Sequence, residues 1–184
     1  TIVIFCSDNG PEPLTKESLA KPFRGKKWSS LEGGTRVPCI ISWPGTLPSG
    51  LKTDAIISAM DLLPTLATVC QIELTKIKSN PVPIDGVNVW STLMGLKKKH
   101  PRNELLYWHG SNGFEAIRVG NWKLFPKRLR ANFKGNGPAL FNLIKDIEEK
   151  NDLSQLHPER VKSMQKLANQ RLADIQSKFV PLGQ

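Results

Sequence analysis

Asp8 and Asn9 stand side by side where an unbroken apolar run, Thr1-Ile-Val-Ile-Phe-Cys6, gives way to polar residues and Gly10. A carboxylate next to an amide oxygen is a fitting pair of donors for a hard divalent cation, which takes oxygen ligands. The basic stretch Phe23-Arg-Gly-Lys-Lys-Trp28 then supplies Arg24, Lys26 and Lys27 ahead of Glu32-Gly-Gly34. A compact ammonium suits a tetrahedral anion. A cation and an ammonium on one anionic ester neutralise its non-bridging oxygens, and the cation also lowers a nucleophile's pKa. His109 follows Trp108 before Gly110 and can line a substrate pocket. Each feature has a plainer reading. Asn-Gly is a common turn, and an Asp before it bonds the turn backbone. The lysines can be solvated loop residues, and His109 a surface or core histidine.

What favours the chemical reading is a set of landmarks in one order. Ser7-Asp-Asn-Gly10 is followed by Arg24-Gly-x-Lys27, Glu32-Gly-Gly-x-Arg36-Val-Pro38 and Trp43-Pro-Gly45. Then come Asp61-Leu-Leu-Pro-Thr-Leu66, Arg118-Val-Gly-Asn-Trp-Lys-Leu124, and Leu140-Phe-Asn-Leu143 with Asp146, Glu149 and Asn151-Asp-Leu153. The series resembles the carboxy-terminal half of a type I sulfatase, the arylsulfatase-like branch of the alkaline phosphatase superfamily. The resemblance implies a sulfuric-ester hydrolase in which Asp8 and Asn9 are ligands of calcium, with magnesium a fit to the same donors. It implies Lys27 as the catalytic sulfate contact, with Lys26 as its rival one residue away. Arg24 and His109 would lie on the substrate side, facing a sulfated small molecule or glycan.

One landmark of that family is missing. Its nucleophile is a formylglycine made from the Cys or Ser of a Cys/Ser-x-Pro/Ala-x-Arg motif, and no such motif occurs in these 184 residues. Cys6, Cys39 and Cys70 precede Ser-Asp-Asn, Ile-Ile-Ser and Gln-Ile-Glu. The resemblance therefore implies a fragment, inactive alone, whose partner is the missing amino-terminal half. Exported or lysosomal placement follows from the resemblance only; the sequence itself does not decide compartment.

The elements that must hold these residues form an α/β arrangement. The opening run is β-branched, aromatic and without alternation, which predicts a strand buried on both faces by covering helices. Asp8 and Asn9 then fall at its carboxyl end, where ligands bind in open α/β sheets. Residues 11–35 form a loop longer than a plain connector, and long loops are often functional. Val37–Trp43 is a second strand. Asp61 is placed to cap a helix with Leu62, Leu63, Leu66, Ala67 and Val69 on its buried face. Residues 71–103 are irregular, with a short helical turn at 89–93.

From residue 104 the pattern becomes four short strands at 105–109, 114–119, 122–125 and 139–143. Gly120-Asn121 is a two-residue hairpin turn between two of them. Trp122 and Leu124 alternate with Lys123, which predicts one solvated face. A helix over 158–179 carries Val161, Met164, Ala168, Leu172, Ile175 and Phe179 at three- and four-residue steps, a stripe that should pack on this small sheet. Domains are expected at 1–103, part of a catalytic α/β domain, and 104–184, an antiparallel-sheet subdomain with a carboxy-terminal helix.

Composition narrows the partners. Apolar residues at 39% and charged ones at 23% suit a packed globular chain, and no run approaches a membrane span. The net charge of +10 suits nucleic acid, another polyanion or a sulfated substrate. Lys97-Lys-Lys-His-Pro101 lacks interleaved aromatics and reads as solvated surface rather than a nucleic-acid groove. Three cysteines without metal spacing read as buried free thiols. Two rival functions remain: a metal-dependent phosphodiesterase or phosphonate hydrolase, and a basic module that binds nucleic acid or glycosaminoglycan without catalysis.

Overall fold

The computed structural model describes residues 1–14, 20–76, 83–96, 100–110, 113–127 and 136–178. The basic run at 97–99 and the Phe179 end of the last helix lie outside these residues. By contacts the chain divides into two compact units: Ile4–Ile41 with Glu104–Leu172, and Thr1–Val3 with Ser42–Asn103 and Ala173–Gln184.

The first unit is built on a four-stranded antiparallel sheet in the order β3-β4-β5-β6. Its strands are β3 (Glu104–His109), β4 (Gly113–Val119), β5 (Trp122–Phe125) and β6 (Ala139–Asn142). Val119 lies opposite Trp122, so Gly120 and Asn121 are the two turn residues of that hairpin, and Gly120 has a φ of 54° that glycine takes freely. Strand alternation sends alternate residues to opposite faces. Ile117, Leu124 and Leu140 meet Val161, Met164 and Ala168 of the last helix, α4 (Pro158–Ser177). Tyr107, Ala116, Phe125, Ala139 and Phe141 meet Leu31 on the other face.

Two expectations are corrected here. Lys123 does not sit on a solvated face: it is fully buried, because the segment around Leu31 and Glu32 covers that side of the sheet. The α4 stripe is buried only at Val161, Met164 and Ala168, and Ile175 is exposed.

β1 (Val3–Cys6) pairs with β2 (Cys39–Ser42) in a two-stranded sheet. Burial of β1 on both faces is not what the chain shows. Val3, Phe5 and Ile40 are 57%, 68% and 63% exposed, so no described residue covers that apolar surface. The cysteines are corrected for the same reason: Cys6 and Cys39 lie on these bare strands, Cys70 ends a surface helix, and all three are free and exposed.

In the second unit a 3₁₀ turn (Ala59–Asp61) runs into α2 (Leu62–Val69), and α3 (Trp90–Leu93) gives the expected short helical turn. Only Thr65 and Ala67 of α2 are fully buried, and Leu63 is exposed. Asp61 is not the side-chain cap of α2. Ser58 caps one turn earlier, and its N–H donates to Asp61 Oδ2 at 2.8 Å. Trp43 and Trp90 meet edge to face, with centroids 6.1 Å apart.

Candidate active-site segment

Glycine holds this site together by what it lacks. The turn after β1 crosses the Glu32-Gly-Gly34 segment so closely that a Cβ on Gly10 would lie 1.9 Å from the Gly33 carbonyl oxygen. A Cβ on Gly33 would lie 2.4 Å from the Gly25 oxygen, and one on Gly34 would lie 2.1 Å from the Ser29 oxygen. Three pieces of chain thus pack backbone on backbone: residues 8–11, residues 24–29, and α1 (Glu32–Thr35). Hydrogen bonds fix their register. Gly10 N–H donates to the Gly34 oxygen at 3.0 Å, Gly33 N–H to the Arg24 oxygen at 2.7 Å, and Lys27 N–H to the Pro11 oxygen at 3.0 Å. Gly10→Ala is therefore expected to force the turn off α1, with a cost of about 1–3 kcal/mol for overpacking. Urea unfolding, together with displaced amide signals at residues 8–11, checks this.

Asp8 and Asn9 line one cavity of about 980 Å³, along with Gly10, Phe23, Gly33 and Arg36. Ser7 Oγ donates to the Asn9 carbonyl at 2.9 Å and tightens the turn that presents them. Their donors are one carboxylate and one amide oxygen, both hard. That set fits part of a calcium shell, which takes six to eight oxygens. No group of three or more His, Cys, Asp or Glu residues assembles among the described residues, so further ligands would have to come from elsewhere.

The other sequence-selected residues fall in three places. Lys27 sits beside Pro11 through its backbone, and its ammonium lies 4.0 Å from the Glu12 carboxylate. Its rival Lys26 donates from Nζ to the Pro13 carbonyl at 3.1 Å. Arg24 turns its guanidinium onto the Glu149 carbonyl oxygen. His109 ends β3 opposite Gly113 and does not line the cavity. So Asp8 and Asn9 share the cavity, while Lys27, Arg24 and His109 do not line it.

Beneath this surface lies a buried ionic cluster that sequence reasoning did not find. Lys123 Nζ is 2.9 Å from Glu32 Oε1 and 3.1 Å from Glu149 Oε1, and 4.3 Å from the centre of the Tyr107 ring. Glu149 Oε2 accepts the Glu32 N–H at 2.7 Å. Arg36 and Arg118 each lie 3.8 Å from Glu32 Oε2. Burial alone would push the Glu32 carboxyl up, but Lys123, Arg118 and Arg36 together hold it below the ordinary carboxylate range. Burial pushes the Glu149 carboxyl up, and the opposing pull of Lys123 and the Glu32 N–H does not cancel it. Glu32 is the carboxylate of the pair with three cationic neighbours. This cluster joins α1 to the sheet, and α1 carries the glycines on which Asp8 and Lys27 rest. Two signals marked it in the sequence: Glu32 set among apolar and glycine residues, and the landmark residue Glu149.

Comparison with known proteins gives the family. A family model described as sulfatase matches residues 1–72. An N-acetylgalactosamine-6-O-sulfatase of Bacteroides thetaiotaomicron is 30% identical over 187 aligned residues, covering 91% of this chain and 35% of that protein. Human arylsulfatase A is 34% identical over 129 residues, covering 67% of this chain and 24% of that protein. The crystal structure of the PsFucS1 sulfatase from Pseudoalteromonas sp. superposes with a TM-score of 0.77 at 25% identity, covering 95% of this chain and 37% of that one. The chain thus spans from about a quarter to a little over a third of the length of these relatives. In sequence and in fold it belongs to the sulfatase family.

Proposed function

We propose that this chain contributes the cation ligands Asp8 and Asn9 and the sulfate-facing Lys27 to a sulfuric-ester hydrolase. The observation that carries the reading is the glycine crossing. It brings the carboxylate and amide of one turn into a single cavity, and sets the Lys27 segment against the same turn. A calcium ion bound there would neutralise the ester's non-bridging oxygens. Asp8 and Asn9 would hold it, and Lys27, swung from Glu12, would place its ammonium on the sulfate. Arg36, lining the same cavity, adds positive charge toward the anion. Arg24 supports the loop through the Glu149 carbonyl, and His109, which does not line the cavity, is given no role in it. No residue here suits the formylglycine role, so the nucleophile belongs to a remainder of the protein outside these 184 residues. The substrate class is a sulfated saccharide or small molecule. Similar proteins include an N-acetylgalactosamine-6-O-sulfatase and Ps i-CgsB, whose structure is in complex with k-i-k-neocarrahexaose.

Calcium titration followed by NMR tests the metal half of this. Calcium is expected to shift the amide signals of residues 7–10. Asp8→Ala should weaken that response by about an order of magnitude or more, because affinity at such sites follows the charge of the ligand set. Inorganic sulfate should shift Lys27 and lose its effect in Lys27→Ala. The 184-residue chain should turn over no aryl sulfate. A calcium response that survives Asp8→Ala, or turnover by this chain alone, would overturn the reading.

A further inference from the structure

Glu149 grips both ends of the loop that carries Lys27. That loop runs from Arg24 to Glu32, and its neck is closed by the Gly33 N–H on the Arg24 carbonyl at 2.7 Å. From 117 and 125 positions away in the sequence, Glu149 meets the neck twice. The Arg24 guanidinium donates to its carbonyl oxygen. The Glu32 N–H donates to its Oε2 at 2.7 Å. Glu32 opens α1, and Leu31 before it makes no side-chain cap, so a carboxylate from a distant part of the chain does the capping. Glu149 is fully buried, and a hydrogen bond to a carboxylate is strong where water is excluded.

Glu149 is itself firmly placed. Its φ is 55°, in the left-handed region, which a residue other than glycine keeps where its surroundings hold it. Asp146 supplies that hold. Its carbonyl accepts the Glu149 N–H at 3.2 Å, and its carboxylate accepts the Lys150 N–H at 3.1 Å and the Asn151 N–H at 2.7 Å. Lys123 Nζ, 3.1 Å from Oε1, fixes the Glu149 side chain. The 143–153 segment is tied to the four-stranded sheet at both ends. Leu143 N–H donates to the Asn121 carbonyl and Leu153 N–H to the Leu140 carbonyl, each at 2.8 Å. An unbroken line of contacts therefore runs from the sheet through Glu149 to the neck. Lys27 lies in the loop beyond that neck, and an ammonium that must meet an anion in one geometry needs such a support.

We infer that Glu149 is a positioning residue for the sulfate contact: it anchors the Lys27 loop to the four-stranded sheet through both ends of the loop's neck. This rests on the reading of Lys27 given above. Neither Asp146 nor Glu149 lines the cavity, so both act through the loop rather than on a ligand.

The experiment is a titration with inorganic sulfate, followed by NMR on the full 184-residue chain and five variants, with urea midpoints measured alongside. Lys27→Ala should lose the sulfate response. Glu149→Ala should weaken sulfate binding about tenfold. Glu149→Gln, whose amide oxygen still accepts the Glu32 N–H, should stay within twofold of the unaltered chain. Asp146→Ala leaves Lys123, Glu32 and Glu149 in place and should weaken sulfate binding about fivefold; it carries the test if Glu149→Ala does not fold. Met164→Ala opens a cavity on the opposite face of the same sheet. It should lower the urea midpoint and yet bind sulfate as the unaltered chain does. Where sulfate binds through Lys27, unchanged affinity in Asp146→Ala or in folded Glu149→Ala overturns the positioning role alone. An equal loss in Met164→Ala does the same, since lowered stability would then explain it. A sulfate response that survives Lys27→Ala, or none in the unaltered chain, overturns the reading of Lys27 and this inference with it.

Discussion

Lys123→Met is expected to destabilise the unit built on the four-stranded sheet by about 3–5 kcal/mol, the usual cost of leaving a buried charge without its partner. The side chain is fully buried, and its ammonium is the shared counter-ion of Glu32 and Glu149. Methionine fills much the same volume, so the loss would be electrostatic rather than a cavity effect. The two carboxylates should not respond alike. Glu149→Gln should cost the least of the three single changes, because burial raises the Glu149 carboxyl and so lessens what its charge contributes, and an amide oxygen can still accept the Glu32 N–H. Glu32→Gln should cost more, since it strips the carboxylate that Lys123, Arg118 and Arg36 all face. The triple change Lys123→Met, Glu32→Gln and Glu149→Gln should recover much of the loss, as buried ion clusters often exchange for neutral groups at little net cost. Urea unfolding of the four variants decides it. Additive losses in the triple variant would mean that the three side chains do not act as one cluster. Because α1 rests on this cluster, Lys123→Met should also broaden the amide signals of residues 8–11 and 24–29.

The small sheet could be read almost to the residue because its signals are local. β5 follows its expected bounds, and Gly120-Asn121 turns as a two-residue hairpin must. What could not be read was which surfaces are covered. Alternation at Trp122, Lys123 and Leu124 says which residues share a face. It does not say that a loop from about ninety positions earlier lies on the lysine. The opening strand fails in the opposite sense. Its apolar run predicts burial on both faces, yet Val3 and Phe5 are exposed among the described residues: an apolar run shows that a strand can be covered, not what covers it. At the site, the landmark residues nominated Asp8, Asn9 and Lys27; the structure brings Asp8 and Asn9 to one cavity, and the glycine crossing gives the glycine landmarks a steric reason.

Asp61→Asn should lower the stability of the unit around α2 by about 3–5 kcal/mol, far beyond the ~1 kcal/mol of a lost helix cap. The sequence assigned Asp61 to capping, but its carboxylate is the hub of a wider network. Arg102 Nε donates to Asp61 Oδ2 at 2.9 Å, and Arg102 Nη2 donates to Oδ1 in the same fork. The Val87 N–H reaches Oδ1 and the Ser58 N–H reaches Oδ2, both at 2.8 Å. Both side chains are nearly sealed from water, at 0% and 9% exposure. An asparagine amide can accept some of these bonds, but its NH₂ would face donors, and the Arg102 charge would lose its counter-ion. Ser58→Ala, which removes only the cap, is the control and should cost about 1 kcal/mol. The sign of the pH dependence follows from the same contacts. Burial would push the Asp61 carboxyl up, but the Arg102 hydrogen bonds and charge and the two N–H donors together hold it below the usual range. A carboxyl lowered by folding contributes stability that is present above its unfolded pKa of about 3.9 and is lost as pH falls through the folded value. Unfolding midpoints taken from pH 7 to pH 2 should therefore fall steeply below pH 4 in the unaltered chain. In Asp61→Asn the starting stability is lower and the fall shallower. Parallel acid profiles for the two proteins would show that Asp61 does not carry this charge-linked stability.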